Sequence, residues 1–125
     1  PVSCAIGMAV MDVIEKEDLI SHAHTLGERF KTGLNSLMQE HELIGDVRGR
    51  GLFLGVEMVK DRSTLEPAAL EASEIVDKMR DQGVLLSTDG PLHNVIKIKP
   101  PIVLNHDDVD RTLSELDNCL SVISD

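Results

Sequence analysis

Apolar positions follow three different rhythms along the chain. From Val2 to Glu15 (VSCAIGMAVMDVIE) residues up to Asp12 are apolar or small on every side. That pattern predicts a helix that wants burial all round. Ser3, Ala5, Gly7 and Ala9 would let a neighbouring backbone come close. Carried by a free domain of this size, such a helix exposes a large apolar patch, and such patches mark interfaces. Its expected cover is another domain or subunit.

The second rhythm is the 3–4 step of one-sided helices. Over residues 18–40, Leu26, Phe30, Leu34 and Leu37 form one buried stripe. Thr64 to Pro67 mark a further helix start, with proline in the first turn. There Ala68, Ala72, Ile75 and Met79 make the stripe and Gly83 ends it. A last helix begins between Asn105 and Asp108. Val109, Leu113, Leu116, Leu120 and Ile123 line its inner side.

The third rhythm is alternation. Residues 43–59 (LIGDVRGRGLFLGVEMV) predict two strands joined at RGRG, where Gly49 and Gly51 supply the freedom of a tight turn. Residues 84–87 (VLLS) predict a short strand, followed by the polar loop TDGPLHN. In VIKIKPPIV (95–103), Ile96 and Ile98 share one face while Val95, Lys97 and Lys99 share the other; Pro100 and Pro101 stop the strand. The order α-α-β-β-α-β-β-α with short links predicts an α+β domain, a small and mainly antiparallel sheet covered by helices.

Composition narrows the function. The chain has 125 residues, 42% hydrophobic and 27% charged, with a net charge of −10. It is long enough for one real core. The acidic balance argues against nucleic acid and against anionic membrane surfaces as partners. The absence of Trp and Tyr removes stacking platforms for bases. Cys4 and Cys119 lie near opposite ends and make a poor disulfide framework, which points to a reducing, intracellular home. Both read as packing residues. The chain opens at Pro1 and reads as an excised piece.

Candidate chemistry is sparse. The glycines of RGRGLFLG (48–55) open a strand, whereas a dinucleotide fingerprint opens a helix. Arg48 and Arg50 read as exposed turn residues. His22 and His24 fall on different faces of a helix; His41, His93 and His106 carry no ligand pattern. Asp107, Asp108 and Asp110 complement a helix dipole. Lys97 and Lys99 stay open between two readings, a strand face in water and a site for an anionic ligand or partner.

Taken in order, PVSCAIGMAVMDVIE, IGDVRGRGLFLGVEMV, GVLLSTDGP and NVIKIKPP resemble the C-terminal small domain of class III aminotransferases, pyridoxal-phosphate enzymes of fold type I. Within the class, VLLSTDGP and VIKIKPP look most like the branch of alanine–glyoxylate aminotransferase 2 relatives that act on phosphoethanolamine or 5-phosphohydroxylysine.

The resemblance implies that residues 1–125 are one small domain, with the large domain of the same chain holding pyridoxal 5'-phosphate. It implies a homodimer acting on a small-molecule amine. The reaction ends in β-elimination of phosphate (a phospho-lyase) or, alternatively, in amino-group transfer. The lysine and aspartate that hold the cofactor, and the phosphate-contacting threonine, belong upstream of Pro1. No catalytic or cofactor residue is therefore expected here, and the piece alone is expected to be inactive. Many class III transaminases carry an arginine that grips the substrate carboxylate at the third position of the strand ending in PP. Lys97 stands there in this chain, so the expected substrate-binding residue is Lys97, a point charge in place of a fork. The compartment is expected to be mitochondrial or cytoplasmic. A different class of reading is a free-standing α+β dimerisation or binding module.

Overall fold

The computed structural model describes residues 1–123. Four helices and five strands follow one another as α1 (Val2–Lys16), α2 (Leu19–Glu40), β1 (Ile44–Arg50), β2 (Phe53–Asp61), β3 (Glu66–Pro67), α3 (Ala69–Asp81), β4 (Ser87–Asp89), β5 (Val95–Ile98) and α4 (His106–Ile123). The strands form one sheet in the order β1-β2-β5-β4, with β3 beside β2. Every pairing is antiparallel.

Strand alternation decides which side of the sheet is covered. Leu54 pairs with Ile98 and Val56 with Ile96, and all four side chains are buried. Against this face lie α2, through Leu26, Phe30 and Leu34, and α3, through Ala72, Ile75 and Met79. The last helix packs on both of them, burying Val109, Leu116, Cys119 and Leu120. The predicted stripes are therefore the core, and among the described residues no helix lies on the opposite face of the sheet.

Three local expectations shift. The turn between β1 and β2 is Gly51-Leu52, because Arg50 already pairs with Phe53. Gly51 takes the left-handed backbone (φ 53°), while Arg48 and Arg50 belong to the strand. Pro67 does not open a helix. It pairs with Val59 in β3, and a residue without an N–H is tolerated at such an edge. The short strand starts at Ser87, three residues after Val84. The Val84 N–H still bonds to Met79 at the end of α3, and Leu85 is exposed.

The first helix forms as its pattern requires but finds little to pack on. Of the regular elements it approaches only α2. None of its residues is buried, and Val2, Ile6, Met8, Val10 and Met11 are exposed. Cys4 lies on this helix and is exposed, so only Cys119 is a packing residue.

Two arginines tie the helices down. The Arg62 guanidinium donates to the carbonyls of Met38, His41 (2.8 Å) and Ile44 (3.0 Å), closing the end of α2. Arg29 makes a two-pronged pair with Asp110 at 2.7 and 2.6 Å, linking α2 to α4. At the start of α4, the Asn105 side chain accepts from the Asp108 N–H, and Asp108 accepts from the Asn105 N–H. That reciprocal cap fixes where the helix begins.

Candidate functional site

The open sheet face collects the charged residues that alternation turns away from the core. Lys97 stands on β5 between Gly55 of β2 and Ser87 of β4. Its two cross-strand neighbours have little or no side chain, which leaves space around the ammonium. Nζ lies 2.7 Å from the Asp89 carboxylate. The second Asp89 oxygen accepts the Gly90 N–H at 2.8 Å. The Lys97 hydrogen bond first, then the Gly90 N–H and the Lys97 charge, hold the Asp89 carboxyl below its ordinary value.

Beside this pair, Arg48 Nη1 donates to Asp46 at 2.7 Å and to Glu57 at 2.5 Å. Those two hydrogen bonds raise the guanidinium above its ordinary value. Phe53 lies exposed near the β1–β2 turn, with the Lys99 ammonium 5.7 Å from its ring centre, within cation–π range. A depression of about 420 Å³ runs between Arg48, Phe53, Gly55, Asp89 and Lys97.

Lys97 and Lys99 do point away from the core, as the alternation requires. The structure adds what the sequence reading missed. Asp89, read as part of a loop, ends β4 and reaches diagonally to Lys97. Arg48, read as a turn residue, is clamped by two carboxylates. The Asp89–Lys97 contact depends on the β4–β5 register and the Arg48–Glu57 contact on the β1–β2 register, and a one-residue shift in either hairpin would undo its own contact. Of the histidines, His93 in the β4–β5 loop lies near enough for its charge to act on Asp89, while His22 and His41 stay apart from this face. His22 Nε2 is 3.0 Å from the Leu104 carbonyl, and the buried His41 lies on the helical side with Nε2 2.6 Å from Asp117.

The family model of aminotransferase class III matches residues 1–120. The chain belongs to the class III aminotransferase family. This class III chain is 41% identical over 125 residues to the ethanolamine-phosphate phospho-lyase homolog 1 of Caenorhabditis elegans, covering 99% of itself and 27% of that protein. It is 45% identical over 120 residues to the mitochondrial alanine–glyoxylate aminotransferase 2 homolog 2 of Arabidopsis thaliana, covering 96% of itself and 25% of that protein. Among solved structures, a phospholyase from Arthrobacter in complex with phosphoethanolamine matches with a TM-score of 0.89 at 36% identity, over 97% of this chain and 29% of that one. The class III chain thus spans about a quarter of the length of the curated relatives it matches.

Proposed function

We propose that residues 1–125 are the C-terminal small domain of a larger, homodimeric, pyridoxal 5'-phosphate-dependent enzyme that removes phosphate from a small O-phosphorylated amine. The observation that carries the lyase reading is the Lys97 ammonium on the open sheet face, in a chain that resembles phospho-lyases in sequence and in fold. A lysine at this strand position offers an anion a single point of charge. An anionic substrate end placed there competes with Asp89 for Lys97. Gly55 and Ser87 leave it room.

The lysines of this face do not fit the role of cofactor anchor. Lys97 is engaged by Asp89, Lys99 lies over Phe53, and Lys99 is exposed. The cofactor is assigned to the large domain. The part taken by this chain is to bind and orient the substrate's anionic end. The site of action is intracellular, in mitochondrion or cytoplasm. The mitochondrial label of the Arabidopsis relative supports this. No helix among the described residues is long and apolar enough to cross a membrane.

A second reading, transamination of the alanine–glyoxylate type, is favoured by the 45% identity to the Arabidopsis aminotransferase homologue. One assay separates the two. The full-length protein is incubated with phosphoethanolamine and with 5-phosphohydroxylysine, and released phosphate is measured. Phosphate release is expected. Amino transfer to glyoxylate or pyruvate without phosphate release would establish the transaminase instead.

A further inference from the structure

Where α2 ends against α4, Glu40, His41 and Asp117 bring three ligand atoms within 4.8 Å of one another. His41 is buried and follows the last residue of α2; Glu40 is exposed; Asp117 is half-buried on α4. We propose that these three side chains form a binding site for a divalent transition ion of the zinc type, joining the end of α2 to α4.

The chemistry of the donors carries the assignment. One imidazole nitrogen and two carboxylates make a nitrogen–oxygen set that suits zinc and its neighbours, with water completing the shell on the exposed side. The end of α2 is the negative pole of that helix, and its last turn holds no basic residue. A cation is favoured there. Arg62 occupies the carbonyls of Met38, His41 and Ile44, so side chains are left as the ligands. The charge of Arg62 opposes a second cation nearby, and Glu42, 3.7 Å from its Nε, partly offsets it.

The rearrangement is small for the His41–Asp117 pair, while Glu40 closes in from within 4.8 Å. Ligand atoms around a tetrahedral zinc lie about 3.3 Å apart, given metal–ligand bonds of about 2.0–2.2 Å. His41 Nε2 and Asp117 Oδ1 stand 2.6 Å apart. They need to separate by about 0.7 Å, and any proton on Nε2 moves to Nδ1 or to solvent, since the imidazole that binds a metal is neutral at the bonding nitrogen.

Calorimetric titration of the chelator-stripped full-length protein with Zn²⁺ tests the site, with Co²⁺ absorption reporting its geometry. Glu40→Gln and Asp117→Asn keep shape and polarity, so both are expected to fold. One zinc equivalent in the unaltered protein should weaken at least about tenfold in each variant. No zinc binding in the unaltered protein, or unchanged binding in either variant, overturns the proposal and leaves His41–Asp117 as a hydrogen bond between helices.

Discussion

Lys97 and Asp89 are joined at 2.7 Å across the β4–β5 hairpin, on the side of the sheet that no helix of the described residues covers. The ion pair draws the ammonium diagonally toward Asp89, away from the small cross-strand neighbours Gly55 and Ser87. In the full-length enzyme, Lys97→Ala should therefore raise the KM for the phosphorylated amine. A charge-assisted hydrogen bond of about 1.5–3 kcal/mol corresponds to a rise of about ten- to a hundredfold. Cofactor occupancy, read by absorbance, should change far less. Steady-state kinetics unchanged from the parent would return Lys97 to a solvated strand face.

Two exposed carboxylate contacts should outlast, on acidification, those of carboxyls with ordinary values. The Asp89 carboxyl is lowered chiefly by its hydrogen bond from Lys97, and that of Asp110 chiefly by its hydrogen bond from Arg29. A lowered folded value means stabilisation that is complete above the unfolded carboxyl value of about 3.9 and is lost as pH falls through the folded one. Carboxyl chemical shifts followed by NMR should give midpoints for both below that of an unstructured aspartate. Salt should bring the midpoints back up. Normal midpoints at low salt would mean the contacts are not held in solution.

Helix α2 sits very close to the β1–β2 turn. A methyl group on Gly27 would stand 2.3 Å from the Gly51 carbonyl oxygen, and the obstructing atoms are backbone. Gly27→Ala gains about 1 kcal/mol of helix propensity, yet should still lower stability, by about 1–3 kcal/mol from forced displacement. Denaturant midpoints of the two proteins decide it; an equal or higher midpoint for the variant would show that the turn yields freely.

The exposed side of α1 makes a prediction about the isolated chain. Ile6 and Val10 help line a broad apolar groove between α1 and α2 and are themselves open to solvent. The chain alone should self-associate in light scattering, and Ile6→Glu with Val10→Glu should reduce that association. A well-behaved monomer of the unaltered chain would contradict this.

The legible parts of the fold were those set by side-chain period. The stripe of α2 and the alternation of β5 follow directly from spacing, because burial of one side decides both. What was not legible depended on partners distant in sequence. Pro67 looks like a helix opener until Val59 is known to stand beside it. His41 looks like a loop residue until α4 brings Asp117 within 2.6 Å. Asp89 reads as turn polarity until register aims it at Lys97. In the site, the cation was visible and its counter-ion was not, since an alternating strand announces its faces but not its neighbours' offsets.

The joint at Glu17-Asp18 has a mechanical corollary. Asp18 sits in the left-handed region at φ 48°, and its carboxylate accepts the Ser21 hydroxyl, so the elbow between α1 and α2 is braced. Among the regular elements of the described residues, α1 packs on α2 alone, so its link to the strands runs through α2. Whatever seats α1 is therefore felt by the sheet through the Leu26, Phe30 and Leu34 stripe of α2.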